Sequence, residues 1–225
     1  MLHIEGPVAA PWSGRHGDAE AELPAPLRGS VRAGATRALL EQLRQHHAPT
    51  AAHSVRVTRV LMRMWSAASA RLGDPETLLT GGALHDIGKL FVPAATLGSG
   101  KALSPAEREM VWRHPATGAD VLRSLGFPAL TVAVARDHHE RWNGGGYPSG
   151  RPSGELHILT RATAVADAYV AMVEPGRTYR APLGERAAQA EIAACRGTHF
   201  DPEMADILLT VLAGSALLPA ESCPA

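Results

Sequence analysis

The sequence predicts an all-α domain, and three observations carry the expectation. Apolar residues recur at helical spacing through nearly every segment between residues 30 and 218, and no set of segments shows the alternation of half-buried strands. The composition is 45% apolar yet only 4% aromatic, with Ala and Leu abundant, which favours an aliphatic helical core. Helix start and stop signals (Asp-Pro and Ser-Pro openings, a closing glycine) punctuate the chain.

The elements follow in order. Residues 1–30 combine Pro7, Pro11, Pro24 and Pro26 with Gly6, Gly14, Gly17 and Gly29, a composition that opposes helix and central strand and is expected to form a short, poorly structured arm. The domain proper is expected over 31–218, with a frayed tail at 219–225. Residues 30–47 read as the first helix and 53–73 as the second, with Arg56, Arg59 and Arg63 on a face expected to be solvated and Gly73 as its stop. "DPETLLTGGALHDIGKL" (74–90) opens with Asp74 as N-cap and Pro75 in the first turn. "SPAEREMVWRHP" opens with the capping-box pair Ser104 and Glu107. Helices are expected over 114–126 and 129–142. "NGGGYPSGRPSG" (143–154) is a loop by its glycines and prolines. Residues 156–173, 183–197 and 201–215 complete the helical set, the last opened by Asp201 and Pro202.

Bulk properties exclude several function classes. Lys plus Arg and Asp plus Glu number 22 each, so no global field favours DNA, RNA or a membrane surface. Cys195 and Cys223 form no CxxC pair and no disulfide framework, as expected of a cytoplasmic protein. No signal peptide is evident, and the longest apolar segment, 207–220, is too short and interrupted to span a bilayer.

Histidine stands out, with 11 residues. His53, the pair His85–Asp86, His114, the pair His138–His139 and Asp167 all interrupt apolar helical stretches, where each alone would be penalised by desolvation. Any one of them taken singly is accounted for by a hydrogen bond in the packing. Together, five imidazoles and two carboxylates make a ligand set for divalent Fe, Mn, Zn, Ni or Co, and their number points to two metals. Adjacent helical residues point about 100° apart, so both members of a pair reach one site only inside a helical bundle. His46 and His47 are expected to be solvent-exposed at a helix end, Trp65 and Trp112 to lie in the core, and His157 and His199 to match no ligand position.

"HDIGK" (85–89) resembles the defining motif of the HD metal-dependent phosphohydrolase superfamily. With "HSVRV" at 53, "HPATGADVL" at 114, "DHHERWNGGGYP" at 137, "AVADAY" at 164, "RTYR" at 177 and "THFDPEM" at 198, the chain is similar to the HD-GYP subfamily over roughly residues 35–213. That resemblance implies a helical HD-domain bundle with a GYP loop and a binuclear centre, most often iron or manganese. It implies hydrolysis of cyclic di-GMP to pGpG and onward to GMP, with the metals generating hydroxide. By motif position, His53, His85, Asp86 and Asp167 would hold one metal, and Asp86 would bridge to a second held by His114, His138 and His139. Asp86 and Lys89 would be catalytic, and Lys89, Gly146, Tyr147, Pro148 and Arg180 would meet the cyclic dinucleotide.

Some positions depart from the family pattern. Val170 stands where a second acid commonly follows the Asp167 position, and Pro49 replaces the glutamate of members with a third metal. Asn143 replaces an acid before the loop glycines, and "VEPGRTYR" is one residue longer than the common form. Two metals are therefore expected rather than three. Two alternatives stay open: another nucleotide substrate, or a degenerate module that binds nucleotide or protein without turnover. Regulation would come from a homodimer or a separate protein.

Overall fold

The computed structural model describes residues 32–174 and 182–216. The arm over 1–30, the tail over 219–225 and Arg180 lie outside the described residues. Among the described residues there are ten α-helices and no strand: α1 (Ala33–His46), α2 (Ala48–Leu72), α3 (Pro75–Leu84), α4 (Ala94–Leu97), α5 (Pro105–Trp112), α6 (His114–Ser124), α7 (Ala129–Asp137), α8 (Ile158–Val173), α9 (Glu185–Ala194) and α10 (Pro202–Ala216). Two 3₁₀ turns, Ile87–Phe91 and Ser153–Glu155, complete the set.

The capping chemistry works as the sequence suggests. Asp74 accepts from the backbone N–H groups of Glu76 and Thr77 at 3.2 and 2.9 Å, Ser104 and Glu107 form a reciprocal capping box, and Asp201 accepts from Glu203 N–H at 2.7 Å. Such caps satisfy donors that the first helical turn leaves orphaned. Gly73 ends α2 with φ 65°, a conformation that suits glycine.

Helix α2, which kinks at Ala68 (φ −142°, ψ 41°), is the central post. It packs against α1, α3, α8 and α10, while α7 joins α6 to α3 on the far side. Leu43, Leu61, Met64, Leu79, Leu84 and Ile87 are fully enclosed, and truncating any one to Ala costs about 2–5 kcal/mol.

Several helix boundaries differ from the sequence reading, and the differences matter for the site. The second helix starts at Ala48 because His47, at φ −152°, breaks from α1 and caps α2 by accepting from Thr50 N–H. His46 donates to the Val92 carbonyl at 2.8 Å, so neither histidine is the free surface group expected. The helix expected over 74–90 stops at Leu84, and that over 129–142 stops at Asp137, which places His85–Asp86 and His138–His139 in turns. Arg56, Arg59 and Arg63 are half-buried rather than solvated. Arg63 donates to the Val211 carbonyl at 2.7 Å, tying α2 to α10.

Candidate metal centre

The histidines owe their placement to helix ends. His85 follows the end of α3, His138 that of α7, and His114 lies just beyond α5. Each ring turns its Nδ1 onto the carbonyl three residues earlier: His85 on Gly82 at 2.7 Å, His114 on Val111 at 2.6 Å and His138 on Ala135 at 2.9 Å. The last carbonyls of a helix lack intrahelical partners, so the ring takes one that is on offer. A carbonyl only accepts, so Nδ1 carries the proton and Nε2 is aimed into the bundle. This is how adjacent residues serve one site: a turn, not a flanked helix, reorients the second side chain of each pair.

The Nε2 atoms converge. His114 Nε2 lies 3.3 Å from His138 Nε2 and 3.1 Å from Asp86 Oδ1. His85 Nε2 lies 3.4 Å from Asp86 Oδ2 and 3.9 Å from Asp167 Oδ1, and Asp167 reaches His53 Nε2 at 2.8 Å. Three overlapping triads each bring their ligand atoms within 4.8 Å of one another: His53–His85–Asp86, His114–His138–His139 and His85–His138–Asp167. Every sequence-named ligand from His53 to Asp167 is thus brought to one locus. Lys89 joins it, with Nζ 2.6 Å from Asp86 Oδ2.

Electrostatics favour a cation. Burial pushes the Asp86 carboxyl up, but Lys89 and the imidazoles outweigh it and hold it well below the usual carboxylate range. Asp167 is raised by burial and lowered more strongly by its hydrogen bond with His53 and by the other imidazoles. Burial, with neighbouring rings, pushes His138 well below its ordinary value and His139 down to about 3. A neutral His138 protonated on Nδ1 presents a lone pair at Nε2. Among the described residues, His85 Nε2 and Asp86 Oδ1 are buried without a hydrogen-bond partner. Bare, buried acceptors crowded around ionised carboxylates fit divalent metal ions.

A family model described as an HD domain matches residues 37–204. The chain belongs to the HD-domain family. It is 37% identical over 155 residues to a cyclic di-GMP phosphodiesterase of Pseudomonas aeruginosa, covering 68% of this chain and 36% of that protein. It is 29% identical over 162 residues to 3′3′-cGAMP-specific phosphodiesterase 2 of Vibrio cholerae, covering 71% and 31%. The chain therefore spans about a third of the length of these relatives. An HD-GYP protein from Bdellovibrio bacteriovorus shares the fold, with a TM-score of 0.59 at 20% identity over 72% of this chain and 52% of that one.

Within this HD domain the GYP loop braces the cluster on its His139 side. Gly146 lies flat on the backbone of residues 139–141, where a Cβ would come within 2.4–2.5 Å of Arg141 N, Glu140 Cα and His139 O. The resemblance implied that the loop glycines allow close backbone approach, and at Gly146 the backbone approached is the protein's own. Tyr147 N–H donates to the His139 carbonyl at 3.3 Å, and its ring stacks on the His139 imidazole at 4.7 Å and 25°. Pro148, next in the loop, is exposed. Gly88 plays a comparable part beside the HD pair, since a Cβ there would fall 2.0 Å from the His114 carbonyl.

Sequence reasoning missed two acids. Glu140 is buried and accepts from Ser149 and Arg151 N–H at 2.7 and 3.1 Å, clamping the loop; its adjacency to the His138–His139 pair was the available signal. Glu174, only 8% exposed, accepts from His53 Nδ1 at 2.9 Å and pairs with Arg56. It lies one helical turn beyond Val170, so a carboxylate approaches the site from that end of α8 although position 170 lacks one. The mouth is formed by the least buried members, Asp167 with 14% and Lys89 with 21% of the side chain exposed, together with His139.

Proposed function

We propose that the chain is a metal-dependent phosphodiesterase that hydrolyses cyclic dinucleotides, with cyclic di-GMP as its principal substrate. The observation that carries the reading is the buried His85 Nε2 and Asp86 Oδ1, left without hydrogen-bond partners in a cluster of five imidazoles and two carboxylates. His53, His85, Asp86 and Asp167 would hold one divalent ion, and Asp86, His114, His138 and His139 the other; the HD-GYP resemblance implies iron or manganese among the metals this nitrogen and oxygen set accepts. Bound there, the ions supply Lewis acidity toward a phosphodiester and acidify water.

The protein's own groups do the rest. Lys89, at the mouth and 2.6 Å from Asp86, offers positive charge to a phosphate that enters. The Nδ1–carbonyl bonds keep the rings from rotating as ligands exchange. The Tyr147 stack holds His139 against the loop. The enzymatic names of the relatives support phosphodiester hydrolysis, and their two substrates, cyclic di-GMP and 3′3′-cGAMP, set the panel to try. Elemental analysis of protein loaded anaerobically with iron or manganese, followed by turnover of both dinucleotides, tests the proposal. Two equivalents of metal with release of a linear dinucleotide support it. Two equivalents with no hydrolysis of any phosphodiester would leave a binding module and sink the enzymatic reading.

A further inference from the structure

We propose that Trp112 is a stacking platform for a purine base of the substrate, an inference that rests on the cyclic-dinucleotide reading. The sequence alone favours a core tryptophan. The structure places it otherwise: α5 has no buried residue, and the indole, on its last residue, is 53% exposed. The chain's other described tryptophans are engaged. Trp65 donates to the Gly73 carbonyl at 2.8 Å, and Trp142 lies under the Arg161 guanidinium at 5.5 Å. Apolar surface as large as an open indole carries information when it stands beside a site.

Trp112 stands beside this one. Its ring centroid is 5.9 Å from Tyr147 at a 35° tilt, and Tyr147 stacks on His139. Three rings therefore run in a row from the metal cluster to solvent, two residues along the chain from His114. A cyclic dinucleotide carries its bases outward from the phosphates. A phosphate drawn to Lys89 at the mouth leaves a base to settle on the outer end of that row. Indole stacks on any purine and does not read hydrogen-bonding edges, so Trp112 raises affinity for dinucleotides as a class and leaves the choice between guanine and adenine to other groups.

The test compares full-length wild type with Trp112→Ala and Trp112→Phe. Two measurements are made: binding of cyclic di-GMP by calorimetry, and kcat/KM on cyclic di-GMP against bis(p-nitrophenyl) phosphate, a phosphodiester without a purine. Trp112→Ala is expected to weaken cyclic di-GMP binding about tenfold or more and to lower the ratio of the two kcat/KM values by a similar factor, mainly through KM. Trp112→Phe recovers most of the loss. Unchanged affinity in Trp112→Ala, or an equal loss on both substrates, overturns the platform. Binding by the wild type without hydrolysis defeats the phosphodiesterase reading alone, because the affinity comparison still decides the role of Trp112. A wild type that binds no cyclic dinucleotide overturns both.

Discussion

A ligand histidine has two nitrogens, and the one that faces away from the metal decides how well the other binds. Here three rings spend Nδ1 on a helix-end carbonyl, whereas His53 spends it on a carboxylate, Glu174. A charged acceptor makes the opposite nitrogen more basic than a neutral carbonyl does. Glu174→Gln should therefore keep the fold and the hydrogen bond, yet weaken metal affinity about 10- to 100-fold at the His53 locus, with the second locus less affected. Titration with manganese, monitored beside the far-ultraviolet dichroism, checks this; two undisturbed affinities would remove Glu174 from the site. Asp86 is the stricter case because it touches both loci. Asp86→Ala should abolish metal loading and turnover together, as read by elemental analysis and product release. Hydrolysis surviving in that variant would show that the metals do not meet there.

At the scale of elements, the helices and most of their openings were legible in the sequence, and the ends that carry the site were not. Periodicity finds the buried face of a segment such as 158–173, and caps such as Asp74 and Ser104 mark openings. Nothing in a periodicity marks the points where His85 and His138 take a carbonyl, so α3 and α7 stop several residues before the apolar pattern runs out. The clustered His and Asp residues were legible because buried imidazoles and carboxylates are costly without a partner and because their order resembles the HD-GYP motifs. Glu174 and Glu140 were not, since an acid near a loop reads as surface until the loop is folded over it. The GYP loop shows the same limit: its glycines announce a turn, but not which backbone it must touch. Gly146→Ala drives a Cβ into main chain at 2.4–2.5 Å that cannot yield, so the loop must lift and carry Tyr147 off His139. Turnover should fall at least about tenfold, and the melting temperature should drop with it. Gly145→Ala is the control. Its Cβ would meet only the Asn143 side chain, at 3.2 Å, which can rotate. Equal behaviour of the two variants would mean that the loop does not buttress the cluster.

The whole molecule couples this cluster to its stability through protons. In the unfolded chain each histidine titrates near 6.5. In the folded chain burial keeps His138 and His139 neutral far below that value. As pH falls below 6.5 the unfolded state binds protons that the folded state refuses, and since stability changes with pH as the difference in bound protons, it must fall. His47 and His157, lowered by partial burial and cationic neighbours, act in the same direction. The carboxylates belong to a different window: Asp86 and Asp167, depressed by Lys89 and the imidazoles, contribute stability that is intact above their ordinary range near 3.8 and lost only on further acidification. Between pH 7 and 5 the metal-free chain should therefore lose stability at a slope approaching one to two protons, about 1.4–2.7 kcal/mol per pH unit. Chemical denaturation followed by far-ultraviolet dichroism at each pH measures it. Bound manganese should raise stability at pH 7.5, because it binds the folded chain alone, and its contribution should vanish over the same interval as protons compete for the imidazoles. His139→Gln should flatten the metal-free slope by up to one proton. A metal-free chain equally stable at pH 7 and pH 5 would mean that these rings accept protons in place and that burial does not keep them neutral.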